Sequence, residues 1–101
     1  MHSDIEAAEL VNRLNEGQAI NLLDVREEIE YCTYNIGGIN MPADKLSGYC
    51  ENRGINKNEE IIVICSAGLR SKTAADLLTA QGFTNVRNLT GGLLALRKAG
   101  L

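Results

Sequence analysis

Histidine is nearly missing from this 101-residue sequence, and the one present, His2, sits beside the amino terminus. A buried Cys–His pair of the protease type has no partner available, and neither does an imidazole-based zinc site. The three cysteines, Cys32, Cys50 and Cys65, are odd in number and widely spaced, with no CxxC pair. That pattern argues against a disulfide framework and leaves at least one thiol free. No long apolar run occurs either: the longest, Ile61 to Cys65, is far shorter than the ~20 residues that span a bilayer. There is no excess of positive charge. Ten Lys and Arg against thirteen Asp and Glu give a net charge of −3, so no general footprint for nucleic acid or an anionic membrane exists and any anion site must be local. Neither GxxxxGK[ST] nor GxGxxG is present, which removes support for a nucleotide cofactor. The acidic start Met1-His2-Ser3-Asp4-Ile5-Glu6 lacks the basic and apolar blocks of a secretory signal, so a cytoplasmic location is expected.

What is present suits one folded domain over residues 1–101, with 45% apolar and 23% charged residues. Ile5, Ala8, Leu10, Val11 and Leu14 recur at helical spacing, with Ser3 as N-cap and Gly17 beyond the last turn. Ala19 to Val25 reads as a short buried strand with Asp24 and Arg26 at its carboxyl end. Glu27 to Tyr31 adds a helical turn, and Gly37 to Pro42 reads as a turn plus a short strand. Ala43 to Asn52 has a weak helical pattern. The β-branched run Ile61-Ile62-Val63-Ile64 is the strongest strand signal and predicts a central, fully buried strand. A tight loop and a helix through Ala74, Ala75, Leu77 and Leu78 follow, ended by Gly82. Val86 to Leu89 marks a last strand, and Thr90-Gly91-Gly92 opens a final helix. The alternation predicts an α/β domain with a mostly parallel sheet.

In such sheets ligands bind beyond the carboxyl ends of the strands, where Cys65 falls. The loop after it turns directly into a helix, so backbone N–H groups and the helix dipole converge near the sulfur. A thiol held there has its pKa lowered from about 8.5. Gly68 allows the unusual backbone angles of a curled loop, and Arg70 offers a permanent charge with forked donors for an oxyanion. The plain alternative is a small buried hydrophobe at a strand end.

Cys65-Ser66-Ala67-Gly68-Leu69-Arg70-Ser71 resembles the active-site loop of single-domain rhodanese-like sulfurtransferases, with the pattern C-x-x-G-x-R-S. Leu22-Leu23-Asp24-Val25-Arg26-Glu27, Glu30-Tyr31 with Ile36 to Pro42, and Leu89-Thr90-Gly91-Gly92 resemble further segments of that family. The resemblance covers nearly the whole chain. Asn35 stands where the family usually has histidine, which bears on local hydrogen bonding, and Leu96 where it usually has tryptophan, which bears on packing of the last helix. The implied fold is a three-layer α/β/α domain around a central, mostly parallel sheet of about five short strands. The implied chemistry is a persulfide on Cys65, loaded from thiosulfate or another persulfide and discharged to cyanide or a thiol, with residues 66–71 as the substrate-binding loop. No cofactor or metal is implied.

Asp24 and Arg26 are expected to support the loop as an ion pair rather than to react. Cys32 and Cys50 lack an anion-binding context and read as bystanders. A cysteine-dependent phosphatase or arsenate reductase is the nearest rival enzyme, but its pattern resembles C-x5-R. Here four residues separate Cys65 from Arg70, a cradle suited to one sulfur atom. A module that carries persulfide to a partner protein is the rival from another class.

Overall fold

The computed structural model describes residues 3–47 and 54–101. In chain order the elements are β1 (Ser3–Ile5), α1 (Ala7–Asn15), β2 (Leu22–Asp24), α2 (Glu28–Thr33) and β3 (Ile39–Asn40). A 3-10 turn (Ala43–Lys45) follows, then β4 (Ile61–Ile64), α3 (Leu69–Ala80), β5 (Val86–Leu89) and α4 (Gly92–Lys98). The five strands form one sheet in the order β1-β5-β4-β2-β3, and every pairing is parallel.

Strand β4 sits at the centre because all four of its side chains can be buried at once. Ile61 and Val63 join Leu23, Ala74, Ala75, Leu78, Phe83 and Val86 on one face, under α3. Ile62 and Ile64 join Ile5, Leu10, Leu22, Leu89, Leu93 and Leu96 on the other, under α1 and α4. A strand covered on both sides carries apolar residues without alternation, and the run Ile61 to Ile64 satisfies that condition. Leu96 is fully buried, so an aliphatic side chain closes the packing of the last helix. No helix among the described residues is long and apolar enough to cross a membrane.

One sequence expectation needs correction. Ser3 does not cap the first helix, and Ile5 is not part of it. Ser3 to Ile5 form an edge strand beside β5, with Ile5 opposite Leu89 and fully buried, and the helix starts at Ala7 with Glu6 as N-cap. Spacing alone could not separate these states, because Ile5 fits a helical stripe while the partner that makes it a strand lies more than eighty residues away. Of the span Ala43 to Asn52, the described part holds a 3-10 turn at Ala43–Lys45, and residues 48–52 lie outside the described residues. Cys50 lies outside them. Asp24 and Arg26 end β2 as a buried, forked ion pair. Arg26 Nη2 donates to Asp24 Oδ2 at 2.8 Å and Nε to Oδ1 at 3.0 Å. The same guanidinium donates to the Tyr34 carbonyl at 2.6 Å, satisfying the carboxyl end of α2.

Asp24→Ala leaves a guanidinium only 6% exposed without its counter-charge. It is expected to lower unfolding stability by about 3–5 kcal/mol in urea titrations. Paired replacement of Asp24 and Arg26 by apolar residues of similar volume should cost distinctly less.

Candidate active site

Cys65 follows β4 at the carboxyl edge of the sheet and is 1% exposed. Two amides donate to its sulfur, the Gly68 N–H at 3.1 Å and the Ser71 N–H at 3.3 Å, and the Ser71 hydroxyl lies 3.2 Å from it. Burial is the largest single influence on the thiol and pushes its pKa up. The Ser71 hydroxyl together with the amides of Ser71, Gly68 and Ala67 outweighs it, and the net effect is a pKa below the ordinary thiol value.

The loop curls this way because Gly68 takes φ +93°, a left-handed conformation closed to most side chains. Turning the amides inward points the first carbonyls outward, and α4 answers them. Leu93 N donates to the Cys65 carbonyl at 2.8 Å and Leu94 N to the Ser66 carbonyl at 3.1 Å. The unpaired first-turn amides of α4 and the loop carbonyls thus satisfy one another. This contact requires glycine at 92, where a Cβ would stand 2.4 Å from the Cys65 carbonyl oxygen.

Arg70 lies in the first turn of α3, and its fork is already engaged. Nη1 and Nη2 donate to the two carboxylate oxygens of Glu30 at 2.6 and 3.0 Å, and Nη2 also reaches Ser66 Oγ at 3.3 Å. The sequence reading assigned that fork to an oxyanion and left Glu30 unassigned. Glu30 has two duties. It accepts the Glu27 N–H as the distal half of a capping box on α2, and it binds Arg70. The Arg70 hydrogen bonds are the main reason its pKa falls to about 2, so it is ionised throughout the working pH range. Asp24 and Arg26 make no contact with the sulfur. Ala67 and Leu69 leave Arg70 as the only charge in the loop, and Leu69 projects outward, 77% exposed. Cys32 is exposed on α2. Asn35 supplies its own local bonds, donating to the Tyr31 carbonyl at 3.0 Å and accepting the Gly37 N–H at 2.9 Å.

Asn88, on β5, was invisible to motif reading. It is buried, its Oδ1 accepts the Ser71 hydroxyl at 2.5 Å, and its Nδ2 donates to the Gly68 carbonyl at 3.4 Å. A serine hydroxyl has one proton. While that proton is on Asn88, the thiol must donate to Ser71. For the hydroxyl to stabilise a thiolate, it must turn from Asn88 to the sulfur.

A parallel α/β layer with an amide-lined thiol beyond its central strand defines a class of cysteine-centred domains. Within that class, a rhodanese-like domain family model matches residues 6–99, and the chain belongs to this family. It is 34% identical over 82 residues to YrkF of Bacillus subtilis, a protein named as a candidate sulfur carrier, covering 80% of this chain and 43% of that protein. It is 28% identical over 102 residues to a protein of Allochromatium vinosum named sulfurtransferase, covering 100% of this chain and 94% of that one. The rhodanese-like domain of Anabaena protein Alr3790 superposes with a TM-score of 0.87 at 30% identity, over 99% of this chain and 76% of that one. The chain spans less than half the length of the Bacillus relative.

Asn88→Asp puts a carboxylate against Ser71, holding its proton and adding like charge. The half-point of Cys65 alkylation by iodoacetamide is expected to rise by about one pH unit or more. Asn88→Ala frees the hydroxyl for the sulfur and should not raise it; equal shifts in both variants would mean that Asn88 only packs.

Proposed function

We propose that the chain is a sulfurtransferase that carries sulfane sulfur as a persulfide on Cys65, with thiosulfate as a competent donor. The observation that carries this reading is the convergence of two backbone amides and a serine hydroxyl on one buried sulfur atom. Family membership and a relative named sulfurtransferase support it. The Cys65 thiolate attacks the outer sulfur of thiosulfate, the sulfur–sulfur bond breaks, and sulfite leaves with the bonding pair. Cyanide then takes the outer sulfur as thiocyanate, or a thiolate takes it as a new persulfide. Cys65 leaves as a thiolate in either case, so the sulfur is passed on without an external oxidant or reductant. Gly68 and Ser71 hold the sulfur, Asp24 and Arg26 brace the neighbouring end of β2 against α2, and Arg70 is the charge that the loop itself offers to an anionic donor.

Phosphoryl transfer is the less favoured reading. A phosphatase cradle has to hold three oxygens around a phosphorus, whereas the Gly68 and Ser71 amides here point at the sulfur itself.

Cys65→Ser should abolish thiosulfate-to-cyanide transfer, and mass spectrometry after thiosulfate treatment should find one added sulfur on Cys65 and none on Cys32 or Cys50. Full transfer by Cys65→Ser, or robust Cys65-dependent hydrolysis of aryl phosphates, would overturn the reading.

Arg70→Ala is expected to lower kcat/KM for thiosulfate by about ten- to a hundredfold, the size of one charge-assisted contact. Because Glu30 competes with the donor for that guanidinium, Glu30→Gln should raise the same constant a few-fold and leave an uncharged persulfide donor unaffected. A loss in Glu30→Gln with thiosulfate would make Glu30 a positioning residue for Arg70 instead of its competitor.

A further inference from the structure

Six large apolar side chains are exposed among the described residues, and four of them, Ile29, Tyr34, Leu69 and Leu94, gather at the Cys65 loop. Leu69 is part of the loop, and Leu94 belongs to the α4 turn whose amide binds the Ser66 carbonyl. Ile29, Tyr34 and Leu94, with Leu93 beneath, form the walls of a cavity of about 350 Å³ between α2 and α4, which meets the loop at Ser66. Thiosulfate and cyanide are small and polar and make no use of such a space, whereas cavities of ~300 Å³ and above are of ligand-binding size. Apolar groups clustered in one place on an otherwise polar surface mark a contact site.

The charges at this groove narrow its occupant. Arg26 is neutralised by Asp24, and Glu30 by Arg70. Arg97 lines the same cavity with its guanidinium 5.0 Å from the centre of the Tyr34 ring, and no carboxylate of the described residues pairs with it. The groove therefore offers apolar walls and one uncompensated cation, within reach of the loop that holds the sulfur.

We propose that this groove seats an extended, cysteine-bearing segment of an acceptor protein, with an apolar side chain between Ile29 and Leu94 and an acidic side chain on Arg97. This inference rests on the persulfide reading above. The acceptor cysteine, as thiolate, attacks the outer sulfur of the Cys65 persulfide; that sulfur–sulfur bond breaks, Cys65 leaves as thiolate, and the acceptor becomes a persulfide.

The test uses the full chain loaded from thiosulfate and blocked hexapeptides carrying one cysteine flanked by Leu and Asp, by Leu and Lys, or by two Ser. The Leu/Asp peptide should exceed the Leu/Lys peptide in kcat/KM by about three- to tenfold, the range of one exposed charge contact taken with its reversal. Arg97→Glu should invert that order, and Leu94→Ser should weaken both Leu peptides, with transfer to cyanide unchanged in each variant. The same peptides with serine in place of cysteine, titrated by fluorescence anisotropy, report the groove without any sulfur chemistry. An unchanged order in Arg97→Glu in both assays overturns the groove. A loop that never acquires sulfur while the peptides still bind in the expected order overturns the persulfide reading alone. If 3-mercaptopropionate accepts sulfur as well as the Leu/Asp peptide does, the acceptor is a small thiol and the protein segment is wrong.

Discussion

The hydrogen bonds from Gly68 and Ser71 to the sulfur of Cys65 are the contacts on which the rest of the arrangement depends. A thiolate in a nearly closed interior loses hydration, and only donors aimed at it can offset that loss. Aiming amides inward forces the chain through a left-handed residue at Gly68 and turns the Cys65 and Ser66 carbonyls outward. Buried carbonyls need donors in turn, and the first turn of α4 has spare N–H groups. The closeness of that turn leaves no room for a side chain at Gly92. One requirement at the sulfur therefore propagates through two glycines to the position of the last helix.

Much of this was legible in the sequence, for physical reasons that differ from element to element. Ile61 to Ile64 announced a central strand because four stiff, β-branched side chains in a row suit a strand buried on both faces. Gly68 announced a curled loop because few other residues accept its φ. Asp24 and Arg26 are two apart and formed the pair that their spacing allows. Glu30 and Asn88 were not legible as site residues. An acidic residue in a short surface helix and an asparagine in a strand are ordinary, and their partners Arg70 and Ser71 lie 40 and 17 residues away. Strand β1 failed for the same reason: only the fold brings Ile5 beside Leu89.

Electrostatics around the loop follows a rule of local neutralisation with one exception. Arg26 is matched by Asp24 inside the domain and Arg70 by Glu30 at its surface. The inner pair is nearly inaccessible, so its work is structural, tying β2 to the carboxyl end of α2 through the Tyr34 carbonyl. The outer pair has side chains 42% and 34% exposed and is open to competition by a solvent-borne anion. Arg97 alone has an aromatic ring in place of a carboxylate.

Helix α2 joins these two halves of the site. None of its six residues is buried, so apolar packing contributes little to holding it. Polar contacts do so: Arg26 to its terminal carbonyls, Tyr31 Oη to the Gly38 carbonyl at 2.9 Å, and Glu30 to Arg70. The last of these is the one that an anionic donor would contest, and the same helix supplies Ile29, Thr33 and Glu30 to the wall of the apolar groove. The Glu30–Arg70 contact is therefore also one of the few that hold that wall in place. Charge on one side of Ser66 and apolar contact on the other meet in a single carboxylate.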